Sequence, residues 1–568
     1  MAAARLPVVL LWHMHQPQYR DALTGRYVLP WTYLHAIKDY TDMAAHVEAN
    51  PRARAVFNFT PVLIEQLEEL ADAVAQHLAK GSVLPDPVLA LLGPDPVPAA
   101  PAERLELVRA CLRAHRARLI ERFGPFLELA RLAESFTTLE RIGYASDQFV
   151  HDLAVWYHIA WLGETVRRES PLVAALTAQG RAFTAEQRRA LLGLVGELLA
   201  GIIPRYRRLA ESGQCELSVT PYGHPIVPLL LDFHAARESA PATALPHHPR
   251  YPGGADRAMW HTAEGLRVFT RAFGMQPAGC WPSEGAISRA AIELLARFDF
   301  RWIASSSNVL RASLDAGKDP DCDDERAFNR PYCLPRGELA CFFREDAISD
   351  LIGFTYATWH GDDAAAHLVE HLERLVYRYG NTTGHAVLIA LDGENAWEHY
   401  PFNGYYFLTA LYRLLTEHPE LELTTLSDCI ARGIPSRPLQ TVIAGSWVHG
   451  TLATWMGDAS KNAAWDLLCE AKEAFDRTLA EGALDAERQR AAERQLALCE
   501  SSDWFWWFGD YNPQEAVSQF DRLYRRQLMT LYGLLGLEPP GNLSQPIAVG
   551  SSLGGPEHGG VMRRAFAD

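Results

Sequence analysis

Two carboxylic acids end short apolar runs at distant points in the chain. Glu284 lies in Ala278–Gly285, AGCWPSEG, and Asp392 in Ala386–Tyr400, AVLIALDGENAWEHY, with Glu394 two residues on. Short apolar runs read as buried strands of a parallel sheet, whose carboxyl ends carry the chemistry in α/β folds. Histidines sit at two more such ends. His13, His15 and Gln16 follow LPVVLLW, and His224 follows CELSV. Two acids from different strands are the minimum for cleaving a glycosidic bond, one as nucleophile or base, the other as an acid of raised pKa. Spacing leaves retention or inversion open, and a helix-capping role for Glu284 is the structural alternative. His13 and His15 alternate around Met14, which invites zinc. No further ligand set is obvious, so no metal or cofactor is expected and the histidines are assigned to sugar hydroxyls.

The elements that must position these groups alternate. Strands are expected at Leu6–Trp12, Ala53–Thr60, Cys215–Val219, before Glu284, at Phe300–Ser305, at Glu338–Arg344 and at Ala386–Leu391, with helices between them. That order gives an α/β barrel. Residues 62–212 form a helical insertion, with a first helix after Pro61, a Pro-rich surface linker over Pro85–Pro101 and three-and-four apolar spacing from Ala102 to Ser212. After residue 400 come helices, the loop Gly445–Lys461 and the aromatic run SDWFWWFGD. The expected domains are a barrel over 1–400, a helical C-terminal domain over 401–538 and a loosely ordered tail over 539–568. Trp281, Trp397, Trp447, Trp455, Trp504 and Asp510 are candidate walls of a sugar groove.

Composition narrows the partners. The 568 residues are 48% hydrophobic with a formal charge of −16 and no basic run, which argues against nucleic acid or anionic membrane. No apolar stretch approaches the ~20 residues of a membrane span. Nine scattered cysteines without a CxxC pair read as reduced thiols of a cytoplasmic protein, and the sequon at Asn381 as incidental. Fifteen tryptophans and 20 tyrosines suit a neutral sugar substrate.

His15-Gln16-Pro17, His224 after a Glu-containing strand, Trp281-Pro282-Ser283-Glu284 and Asp392-Gly393-Glu394 together resemble the ordered motifs of glycoside hydrolase family 57. The resemblance covers nearly the whole chain. It implies an incomplete (β/α)7 barrel with a C-terminal helical domain that closes the cleft, α-glucan or maltooligosaccharide substrates and a retaining double displacement. It implies Glu284 as nucleophile, Asp392 as general acid/base, His15 and His224 as substrate ligands and Glu394 as a supporting acid. The loop GSWVHGTLATWMGD and the run DWFWWFGD look like the amylopullulanase and α-amylase branch rather than branching enzymes. Linkage (α-1,4 or α-1,6) and hydrolysis against transfer stay open. The alternatives are a 4-α-glucanotransferase or branching enzyme with the same pair, a zinc-dependent α-mannosidase or deacetylase using His13, His15, His224 and Asp392, and a non-catalytic glucan-binding protein.

Overall fold

The computed structural model describes residues 5–322, 324–380 and 383–550, so Asn381 and the end of the expected tail lie outside the described residues. Seven parallel strands form the barrel: β1 (Leu6–Met14), β2 (Ala55–Phe59), β3 (Cys215–Val219), β4 (Gly279–Cys280), β5 (Trp302–Ser306), β6 (Ala340–Arg344) and β7 (Val387–Asp392). They neighbour one another in chain order, and β7 returns to pair with β1 over Val8–His13. The β6–β7 seam is thin. It rests on the pairing of Arg344 with Leu388, beside a bond of 2.7 Å from the Glu345 amide to the Leu388 carbonyl.

Strand periodicity sorts the side chains. Val9 and Leu11 of β1, Val56 of β2, Trp302 and Ala304 of β5, Ala340 and Phe342 of β6, and Leu388 and Ala390 of β7 form one buried cluster. Their neighbours Val8, Leu10, Phe57, Ile303, Phe343 and Ile389 pack into the larger core beyond the sheet. Each fully buried aliphatic side chain contributes about 1.5–3 kcal/mol. Continuing each inward row by two residues reaches His13, Asn58, Arg344 and Asp392. The same alternation that fills the barrel thus sets a polar ring at its carboxyl end. Register agrees: His13 lies opposite Asn58 on one side and Asp392 on the other.

The insertion opens with the helix Pro61–Lys80, with Pro at its first turn and left-handed Gly81 at its end, and finishes with Ala185–Glu211, started by a Thr184–Gln187 capping box. The barrel's own chain runs past residue 400. The helix Tyr405–Glu417 packs on Gly361–Tyr379, and the strand Leu421–Leu423 pairs with the start of β1. The helices Ala459–Ala480, Ala486–Cys499, Ser502–Trp507 and Gln514–Leu535 follow. Among the described residues no helix is long and apolar enough to cross a membrane.

Candidate active site

A cavity of about 1310 Å³ opens at the carboxyl end of the barrel. Glu284 and Asp392 line it together with His13, His15, Gln16, Glu394 and Trp447. Glu284 sits in a tight turn, Ser283–Gly285, at φ +58°, and His224 stands at φ +55°. A non-glycine residue is rarely held there unless its surroundings fix it, and such strain collects at functional sites. The fixings are visible. The Trp447 amide donates to the Glu284 carbonyl at 3.1 Å, and the Ser502 amide donates to the His224 carbonyl at 3.0 Å. Both donors come from the C-terminal region.

Burial, and then the charge of Asp392, push the Glu284 carboxyl up to about 8, against the indole of Trp447, whose Nε1–H donates to Oε2 at 2.8 Å. Burial raises Asp392 to about 6, offset by Asn395, which donates to its Oδ2 at 2.6 Å, and by the neighbouring His15 and Arg344. With Glu284 up at about 8 and Asp392 at about 6, the ligand-free cavity favours the proton on Glu284. Burial and the Asp392 charge raise the Glu394 carboxyl well above the usual range. Its Oε1 accepts from the His15 amide at 3.1 Å and Gln16 Nε2 at 3.2 Å. Its Oε2 is buried without a protein partner among the described residues.

The histidines form a stack with a readable proton pattern. Asn58 Oδ1 already accepts from Thr220 at 2.8 Å and lies 2.6 Å from His13 Nδ1, so His13 donates there. Burial lowers His13 to about 3 and His224 well below its ordinary value, so both rings are neutral. His13 Nε2 therefore accepts from His224 Nε2–H at 3.2 Å, and His224 Nδ1 accepts from the Ser502 hydroxyl at 2.8 Å. His15 donates through Nε2 to Asp503, 2.9 Å from Oδ1. Ligand atoms of His15, His224 and Asp503 lie within 4.8 Å of one another. The rings of His15 and His224, however, stack at 3.8 Å and 18°, which sends their in-plane lone pairs along parallel paths. Tetrahedral zinc needs convergent ones. The arrangement suits sugar hydroxyls and an oriented carboxylate better than a metal.

His224 lies just beneath the cavity wall, under His15. Four tryptophans expected as walls are placed elsewhere. Trp281 fills the barrel interior against Trp447, with ring centroids 5.0 Å apart. Trp397 donates to the Gly393 carbonyl at 2.8 Å, and Trp504 to the Leu498 carbonyl at 2.8 Å. Trp455 is buried against Trp465 and Trp506. Asp510 is exposed beyond the cavity. The reason is helical spacing. In Ser502–Trp507, Trp504 and Phe505 turn into the helical core, while Trp506, Trp507 and then Tyr511 face the cavity. Gly393 is needed for close approach, because a Cβ there would meet Met14 Sδ at 2.1 Å. Sequence reasoning leaves Asp350 unplaced, reads Asp503 only as an acid flanking the aromatic run that could contribute to the sugar groove, and assigns no role to Arg344 or Lys461. Period-two continuation of β6 would have found Arg344. Nothing local marks the others.

A parallel barrel with two buried acids from different strands, set in a cavity rimmed by tryptophans and histidines, defines a glycosidase-type enzyme. The chain belongs to glycosyl hydrolase family 57, whose family model matches residues 9–440. It is a retaining glycoside hydrolase or transglycosylase. Similar solved structures include the family 57 branching enzyme of Pyrococcus horikoshii (16% identity, 99% of this chain and 100% of that one, TM-score 0.58). The branching enzyme of Thermococcus kodakaraensis is also similar (15% identity, 93% and 90%, TM-score 0.57), as is an α-amylase of Thermotoga maritima (14% identity, 94% and 94%, TM-score 0.55). At these identities the likeness is one of fold. No curated protein sequence matches the chain.

Proposed function

We propose that the chain cleaves α-glucans, at α-1,4 and in part α-1,6 linkages, by double displacement, with Glu284 as nucleophile and Asp392 as general acid/base. The observation that carries this is the unequal anchoring of the two acids. Glu284 is held at main chain and side chain by Trp447, as a nucleophile must be. Asp392 is held by the single side chain of Asn395, which leaves it free to pass a proton to and from a leaving oxygen. Asp392, protonated, donates to the glycosidic oxygen while Glu284 attacks the anomeric carbon. The β-linked glycosyl-enzyme is then opened by an acceptor that Asp392 deprotonates. In the ligand-free cavity the proton rests first on Glu284. The reading requires the opposite distribution, Glu284 ionised and Asp392 protonated, once a glucan is bound. Glu394 Oε2, His15 and Gln16 bind sugar hydroxyls at the cleaved bond. The nine cysteines, none of them in a disulfide among the described residues, support a cytoplasmic location.

Product analysis after incubation with maltoheptaose, amylose and pullulan tests the reading. Shorter maltooligosaccharides without longer ones are expected from the wild type and none from Glu284→Gln. Longer or branched products instead assign the same pair to a 4-α-glucanotransferase or a branching enzyme. Full turnover in Glu284→Gln sinks the assignment.

A further inference from the structure

Arg344 ends β6, on the interior row that also carries Ala340 and Phe342. It lines the cavity and is 7% exposed. Its position is the thin seam of the barrel, where it pairs with Leu388 and its Nε donates to the Ala390 carbonyl at 2.8 Å. Ala390 is two residues before Asp392 on the neighbouring strand. The other arm of the guanidinium reaches Asp346 Oδ1 at 3.0 Å and Asp350 Oδ1 at 2.6 Å, both on the helix that follows β6. The guanidinium carbon also lies 5.5 Å from the centre of the Trp447 ring, whose Nε1–H donates to Glu284. One buried cation therefore touches the strand that presents Asp392 and the indole that holds Glu284.

We propose that Arg344 is a positioning residue for both catalytic acids: it stitches the β6–β7 seam below Asp392, supports Trp447 beside Glu284, and places a fixed positive charge near Asp392. The geometry stands by itself, while the roles of the two acids rest on the function proposed above. A guanidinium bonds through a planar fork and stays charged throughout the accessible pH range, which suits a fixed field better than an ammonium would. Its charge holds Asp392 below where burial alone would leave it. The groups facing Asp392 are Glu284, Glu394, Asp503, His15 and Arg344, and those facing Arg344 are Glu345, Asp346, Asp350 and Asp392. Asp346 and Asp350 offset part of the cation, so its removal exposes the pair to two further negative charges.

The sign follows. Without the cation the Asp392 carboxyl rises, by about one pH unit for the loss of a nearby opposite charge. The limb of the pH–rate profile on which the acid loses its proton moves to higher pH with it.

The test compares wild type, Arg344→Met and Arg344→Lys in the full chain. Carboxyl titration by ¹³C NMR of labelled Asp and Glu is measured without substrate, beside the pH profile of kcat/KM on maltoheptaose and a thermal melt. Arg344→Met is expected to raise the titration of the pair and to lower kcat at least tenfold. Arg344→Lys keeps the charge and is expected to restore the titration but not the full kcat. A wild-type titration in folded Arg344→Met overturns the proposal, as does a shift in Arg344→Lys equal to that in Arg344→Met. If Arg344→Met does not fold, Arg344→Lys decides alone, and a kcat equal to wild type then overturns the proposal. Titrations that shift as expected in a protein inactive on every glucan uphold the role of Arg344 and reject the glucan reading.

Discussion

Trp447 holds Glu284 twice: its indole Nε1 donates to Oε2 at 2.8 Å, and its amide donates to the Glu284 carbonyl at 3.1 Å. The acid belongs to the barrel and the tryptophan to a loop 163 residues later in the chain. His224 and Ser502 repeat the pattern, with a side-chain bond of 2.8 Å and a main-chain bond of 3.0 Å. Both barrel residues have left-handed backbones, and both are fixed by C-terminal partners. The C-terminal segment is thus part of the site, and the strain at Glu284 and His224 is held from outside the barrel.

Trp447→Phe removes the side-chain donor and keeps the main-chain bond. The indole N–H stabilises the carboxylate, so its loss raises Glu284 further above its already high value of about 8. The limb on which the nucleophile must ionise moves to higher pH. A hydrogen bond to a charged group is worth about 1.5–3 kcal/mol, so kcat/KM at neutral pH falls about 10- to 100-fold. A pH profile of kcat/KM checks it, and an unmoved limb counts against Glu284 as the nucleophile.

The two acids are separable by azide. In Glu284→Ala azide takes the place of the missing nucleophile, and an α-glucan yields the β-glycosyl azide. In Asp392→Ala the covalent intermediate forms slowly and azide opens it to the α-glycosyl azide. Each variant alone loses about 10²–10⁴ in kcat. NMR of the anomeric proton reads the outcome, and the same anomer from both variants contradicts the division of roles.

Glu500 offers a test of stability apart from catalysis. It accepts from Arg257 at 2.7 Å, His261 at 2.7 Å and Tyr251 at 2.6 Å, and ties the helix Gly254–Phe273 to the C-terminal helices. Although burial opposes ionisation, Arg257 and His261 bring its carboxyl down from 4.5 to about 2. A depressed carboxyl contributes stability that is complete above its unfolded value near 4.5 and is lost as pH falls toward 2. The shift corresponds to about 3 kcal/mol. Glu500→Gln is expected to lose this stability at pH 7 and to flatten the fall between pH 5 and 2. Urea melts across that range measure both.

The barrel was legible because period and strand ends are local signals. The apolar runs before His13, Glu284 and Asp392 became strands, and the three-and-four spacing after residue 102 became helices. The tryptophans were not legible. A ring in a run such as DWFWWFGD turns inward or outward by helical phase, and the phase is set by where Ser502–Trp507 docks. Trp504 and Trp506 are alike in sequence and opposite in place. Arg344 is a partial case. Its inward row can be read from β6, but the thin seam that gives it a task comes from barrel closure, which no local stretch encodes.

That contrast supplies the remaining test. Trp504 is fully buried, donates to Leu498 and packs on Phe520 and Tyr524. Trp506 lines the cavity beside Trp507 and Tyr511. Truncating a core tryptophan costs about 3–5 kcal/mol, so Trp504→Ala lowers the melting temperature sharply. Molecules that remain folded should keep the wild-type KM. Trp506→Ala removes a sugar-facing ring and is expected to raise KM for maltoheptaose about tenfold, which is 1.4 kcal/mol of binding, with kcat changed less. Trp506 also packs on Trp455, so some stability is lost as well, and the KM ratio, not the melt, separates the two. Equal KM in the two variants removes Trp506 from the substrate path and leaves Trp507 and Tyr511 as the aromatic wall on that side of the cavity.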